Sequence, residues 1–296
     1  MGFMLLLGAL SLAAFFGDFS DSDEEGDAAP EPEIEKGDPP SGSDAGNDEA
    51  GDGVEQSDID LASATSVIVG EEGGFNIELE FEGEWTLEEK EQVVLAAEEV
   101  AALVHEDIPD VKAGDKEIDD LVIKARVSDD LGNGALGLGG FTSVRAGSYL
   151  PAQGEITILR QDDPTEGTFY DTAVHEMLHA MGFGLIWEPL GLVSDDNIEP
   201  RFTGQKATEV YEEMVQNGEI VDPNAAAGVP ISFGDEAHWD EATLTSEIMT
   251  PYLDPGSELS DLTIAALEDM GYVTDFHVSN LFFEEASTIM PFSAGV

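Results

Sequence analysis

The chain has no cysteine among its 296 residues. Disulfide frameworks, thiolate-ligated zinc and thiol catalysis are therefore excluded together. Positive charge is also scarce: ten Lys and Arg stand against 65 Asp and Glu, a formal charge of −55. A body of that sign repels phosphates and anionic headgroups, which argues against nucleic-acid binding and against docking on anionic lipid. Such a protein works in high salt, where dense carboxylates keep it hydrated, or places some carboxylates on cations. Long apolar runs are few. Residues 2–16, GFMLLLGALSLAAFF, form one, but as a helix it would span about 22 Å against roughly 30 Å of hydrocarbon. That length suits a signal-peptide core, although no Lys or Arg precedes it and no clear Ala-x-Ala site follows. Residues 1–17 are read as a signal-like or anchor segment. The protein is then expected to be secreted or extracytoplasmic, with membrane contact only through this segment if it stays uncleaved.

What remains is enough for a sizeable core, since 42% of residues are hydrophobic. From Asp18 to Asp60 the chain holds 17 acidic residues and a single Lys36. With like charges repelling and little apolar surface to bury, residues 18–62 read as an acidic disordered linker ahead of one domain over 63–296. The acid excess continues there, with 48 acidic and nine basic residues outside the linker, as on a solvated halophile-type surface. Asp129, Asp130 and Asn133 are a weak Ca²⁺ candidate, because no EF-hand loop or Gly-rich calcium repeat is present.

Order is expected from near Thr65. Phe75–Phe81 alternates with period two and reads as a strand. Thr86 and Glu89 form a capping box that opens a helix over Leu87–His105. A strand over Leu121–Val127, a glycine-rich loop over Gly132–Gly140, a strand over Glu155–Leu159 and a helix over Thr172–Met181 follow. The pattern is that of a single α+β or α/β domain.

His175-Glu-Met-Leu-His179 is the strongest chemical signal. On a helix, residues i and i+4 project from one face, so both imidazoles can pinch one metal ion, and neutral imidazole suits Zn²⁺. Glu176 adjoins the first of them and can reach a metal-bound water without ligating. Gly182 follows seven residues after His175, where a metzincin helix ends in a turn that needs left-handed backbone. Ordinary metzincins carry their third histidine ten residues after the first, a position held here by Leu185. The next histidine is His238, followed by Glu247-Ile-Met249-Thr-Pro251.

A long insertion before the third histidine is the mark of the leishmanolysin type. Gly234–Glu241 resembles that family's His-Trp segment, Glu247–Thr250 its Met-turn, and Leu259–Tyr272 its closing helix. Leu136–Arg145, Leu150–Leu159 and Phe202–Gly204 also look like bacterial relatives, so the resemblance spans roughly residues 70–275. It implies an α+β metzincin-like domain with a mixed sheet and an active-site helix. It further implies one Zn²⁺ on His175, His179 and His238, Glu176 as general base, and Gly182 and Met249 as structural supports. The strand near Glu155–Leu159 would form the cleft's upper rim, where an extended substrate adds as a further strand. Eukaryotic leishmanolysins rely on disulfides and on a propeptide cysteine for latency, and neither device is available here.

Rivals for the third ligand are His105, read instead as complementing a helix C-terminus, His277, and Glu209, Glu212 or Glu213 of a thermolysin-like site. The glutamates would leave Gly182, His238 and Met249 unexplained. Tyr252 sits one residue too late for the usual Met-turn tyrosine, and Trp187 and Trp239 read as core aromatics. The function these features imply is a zinc endopeptidase acting on protein or peptide substrates. Acidic peptides are expected to be disfavoured unless salt screens the repulsion. The alternatives are a non-catalytic surface or adhesive module on the same fold, or the thermolysin-like peptidase. Residues 276–296, with Leu281-Phe-Phe283, are expected to pack on the domain.

Overall fold

Ile77 and Leu79 are fully buried while Glu78 and Glu80, on the other side of the pleat, pair with Lys116. This alternation makes Asn76–Phe81 a strand, β2, as its sequence predicts. In the computed structural model, which describes residues 61–274 except 72, 115, 166, 195–198 and 254–256, β2 belongs to a five-stranded sheet. The other members are β1 (Ser66–Gly70), β5 (Leu121–Ser128), β6 (Gly137–Val144) and β7 (Pro151–Leu159). Their order is β1-β2-β5-β7-β6. The three central strands run parallel and both edge strands antiparallel, so the sheet is mixed and the fold α+β. The expected segments 1–17, most of 18–62, and 276–296 lie outside the described residues. Among the described residues no helix is long and apolar enough to cross a membrane.

Helix α1 (Leu87–Ala102) supplies the crossover from β2 to β5. Its capping box is complete: Glu89 N donates to Thr86 Oγ1 at 3.1 Å, and Thr86 N to Glu89 Oε2 at 2.8 Å. The small residues Ala96, Ala97 and Ala101 on its buried face let it sit close to the sheet and to the second long helix, α2 (Phe169–Ala180). The hairpin of β3 (Val111–Ala113) and β4 (Lys116–Ile118) packs a separate small cluster of Ile118, Val122 and Ala152. Beyond α2 come β8 (Arg201–Phe202), α3 (Gln205–Asn217), a 3-10 turn at Ala225–Ala227, β9 (Val229–Pro230) and α4 (Asp261–Met270). Asp269 of α4 accepts from Lys206 N and Ala207 N at the start of α3, a cap supplied by another helix.

Two sequence expectations are corrected. Helix α1 ends at Ala102, not His105, because the chain turns at Leu103 and bridges Val104 to Thr274. His105 is thus beyond the helix terminus it was expected to complement. Gly137–Gly140, expected in a loop, lie in edge strand β6. Their glycines weaken strand propensity, but tertiary packing against α2 requires them.

Two of the scarce cations are buried. Arg145, 5% exposed, donates Nε to Pro109 O, Nη1 to Pro151 O and Nη2 to the carbonyls of Asp119 and Asp120, all within 2.6–2.9 Å. Lys90 donates to the carbonyls of Leu61, Ala62 and Ala64, which fastens the first described residues to α1. Next to Arg145, the buried Asp120 carboxylate accepts from Ile108 N and Asn76 N. Burial, aided by the charges of Asp107 and Asp119, outweighs those donors and pushes its carboxyl up to about 6. The folded state therefore holds this proton more tightly than the unfolded chain. The group's contribution to stability is greatest below about pH 4 and declines as pH rises to about 6. Asp120→Asn is expected to flatten the stability profile over that interval, measured by urea unfolding; an unchanged slope would mean that other groups set it.

Candidate metal centre

Helix α2 lies beneath β6 and β7. His175 and His179, one turn apart on it, are both completely buried. His238 reaches them from the loop after β9, across the long insertion. Its ring is also fully buried. The three Nε2 atoms form a nearly equilateral triangle: His175–His179 3.0 Å, His179–His238 3.1 Å, His175–His238 3.2 Å.

The opposite ring nitrogens decide what this triangle is. His175 Nδ1 donates to Ile248 O at 2.7 Å and His179 Nδ1 to Phe183 O at 3.0 Å. A carbonyl only accepts, so each Nδ1 carries the proton and each Nε2 turns a bare lone pair inward. His238 Nδ1 lies 3.1 Å from Asp235 Oδ2 without the alignment of a good hydrogen bond. Burial, then the neighbouring imidazoles, drives His175 well below its usual range. Burial and the neighbouring His238 ring bring His179 down to about 3. Both rings are neutral at pH 7. Neutral nitrogen donors about 3.3 Å apart are what three ligands at 2.0–2.1 Å around a tetrahedral cation require, and the triangle falls close to that. The donor set, its spacing and its outward-held Nδ1 protons fit one metal ion.

Glu176 is the second unusual group. It is fully buried and both carboxylate oxygens lack a hydrogen-bond partner among the described residues, while burial raises its pKa well above the carboxylate range. It sits under the glycines of β6. A Cβ on Gly137 would stand 2.4 Å from Glu176 Oε1. One on Gly139 would stand 2.4 Å from the Glu176 carbonyl oxygen and 2.8 Å from Oε2. A buried carboxylate with no hydrogen-bond partner is costly unless a cation or water completes the site.

The expected supports are Gly182 and Met249. Gly182, at φ 97°, ends α2 in a Schellman turn: Phe183 N donates to Leu178 O and Gly182 N to His179 O. That turn is what brings the Phe183 carbonyl to His179. Gly184, at φ 75°, leaves room for the His238 loop, since a Cβ there would lie 2.1 Å from Ala237 O. Met249 is fully buried, and its carbonyl accepts from Trp239 N at 3.0 Å. Trp187 and Trp239 pack with Phe183 and Phe202 as core aromatics.

The rival ligands go elsewhere. Glu209 is exposed and accepts from Gln205, and Glu212 and Glu213 share its helix, α3. His277 lies outside the described residues. The calcium candidates are drawn to other partners, Asp129 to Arg160 and Asp130 Oδ1 to Gly132 N. Tyr252 is half-buried, and its carbonyl accepts from Thr250 Oγ1. The expected cleft rim is corrected: β7 is hydrogen-bonded on both sides, to β5 and β6, so it has no free edge and the edge strand of the sheet is β6.

Sequence reasoning missed Gly137, Gly139, Gly184, Asp235 and the Ile248 and Phe183 carbonyls. Alternating glycines before a predicted strand, and an aspartate three residues before His238, were the available signals. Among known proteins, no family model and no curated protein matches the chain.

Because Gly139 is closed off by the Glu176 backbone as well as its carboxylate, Gly139→Ala is expected to destabilise the metal-free protein by about 1–3 kcal/mol. Denaturant unfolding measures this. A neutral substitution would show that β6 does not press on α2 as described.

Proposed function

We propose that the protein is a zinc-dependent endopeptidase of the leishmanolysin-type metzincin class, with His175, His179 and His238 as metal ligands and Glu176 as general base. The observation that carries the reading is the convergence of three buried imidazole Nε2 atoms within 3.0–3.2 Å of one another, with the partnerless buried carboxylate of Glu176 on the same helix. The order of the motif along the chain, from His175-x-x-x-His179 through Gly182 to His238 and Met249, supports the metzincin assignment over other histidine sites.

Zinc, when bound by three imidazoles, acts as a Lewis acid and lowers the pKa of a coordinated water toward 7. Burial raises the Glu176 carboxyl well above the carboxylate range. As general base Glu176 would take a proton from the attacking water and pass it to the leaving amine. The carbonyls of Ile248 and Phe183 hold the two helix ligands in one tautomer throughout. Edge strand β6 offers an extended substrate backbone hydrogen bonds along the rim above the helix. The acidic body favours substrates that are not themselves acidic. The apolar start of the chain supports a secreted or membrane-anchored location.

Zinc stoichiometry and casein hydrolysis, measured together in high salt, test this. Wild type should hold one zinc per chain. Glu176→Ala should keep the metal and lose about 10²–10⁴-fold in rate. His238→Ala should lose the metal. Zinc bound without hydrolysis in the wild type would instead indicate a binding module, and no zinc in any form would overturn the metal reading.

A further inference from the structure

Glu247 is a buried acid that the proposed chemistry does not use. It is 5% exposed, and no cation pairs with it among the ion pairs of the described residues. Its carboxylate is nevertheless fully engaged. Oε2 accepts from Met249 N at 2.6 Å, and Oε1 accepts from Ser260 Oγ at 2.8 Å, Ser260 N at 3.3 Å and the Thr263 hydroxyl. Ser260 is the N-cap of α4, so the negative charge sits at the positive end of that helix. Burying an anion without a counter-charge is expensive. A neutral Ser or Asn could tie one turn, but only a carboxylate offers acceptors to four donors from two chain segments.

Those donors lead to two different histidines. The bond to Met249 N closes the turn Glu247–Met249, and the residue inside that turn, Ile248, presents the carbonyl that takes the His175 Nδ1 proton. In the other direction, Thr263 Oγ1 donates to Glu247 and accepts from Trp239 Nε1 at 2.9 Å. Trp239 follows His238 directly, and its backbone N–H donates to Met249 O. We infer that Glu247 is the positioning residue of the histidine triad, fixing His175 through the Ile248 carbonyl and His238 through the Thr263–Trp239 pair. The inference rests on the metal reading above. One carboxylate thereby ties a ligand of α2 to a ligand 63 positions later in the chain.

The test compares Glu247→Gln, Thr263→Val and Thr263→Ser with wild type. Each is examined for zinc dissociation constant against a competing chelator, visible spectrum with Co²⁺ in place of zinc, and melting of the metal-free form. An amide has one acceptor oxygen, so Glu247→Gln breaks one of the two arms. Thr263→Val cuts only the Trp239 arm and remains informative if the glutamate variant fails to fold. Both should bind zinc about 10–100-fold more weakly and shift the Co²⁺ bands, whereas Thr263→Ser should restore affinity and spectrum. If both variants melt earlier yet bind zinc with unchanged affinity and Co²⁺ spectrum, Glu247 only anchors α4 and the inference falls. A wild type that binds neither ion overturns the metal reading itself, which is a different result.

Discussion

Three imidazole Nε2 atoms face one another at 3.0–3.2 Å in a completely buried pocket, and those of His175 and His179 carry no hydrogen. The carbonyls of Ile248 and Phe183 hold the protons of His175 and His179 on the far sides of the rings. Such an arrangement is unfavourable on its own, since like dipoles are opposed where no water screens them. It becomes favourable when a cation occupies the centre, and the surrounding structure is arranged to hold the rings there regardless. The Schellman turn at Gly182, the close approach at Gly184 and the Glu247 network each fix one side of the triangle.

The same constraint explains the glycines of β6. The sheet must lie close to α2 for the edge strand to cover Glu176, and at Gly137 and Gly139 there is no room for a Cβ. An edge strand of glycines is a poor strand by propensity, so it forms because β7 pairs with it and α2 packs against it. The chain's few cations serve similar ends. Arg145 and Lys90 bind backbone carbonyls and hold segments together, while Lys116, Lys124 and Arg126 pair with glutamates on the outer face of the sheet.

Much of this was legible in the sequence where the signal is local. The capping box at Thr86 and Glu89, the alternation of Asn76–Phe81 and the helical spacing of His175 and His179 all depend on residues within one or two turns of each other. Gly182 was legible because a left-handed terminus leaves a glycine behind. His238 could be singled out only by resemblance, because no periodicity links it to α2. The Ile248 and Phe183 carbonyls were not legible at all, since a backbone acceptor carries no residue identity. Gly137–Gly140 misled because a strand sustained by tertiary packing has the composition of a loop. The β6 edge was hidden for a related reason: strand order is a long-range property, and β7 has the better strand sequence.

The central claim is that His175, His179 and His238 converge on one ion. X-ray absorption at the zinc edge of the loaded protein tests it most directly. The account predicts three imidazole nitrogens and one further light atom at about 2.0–2.1 Å. A first shell made of carboxylate oxygens, or one with fewer than three imidazoles, would contradict it.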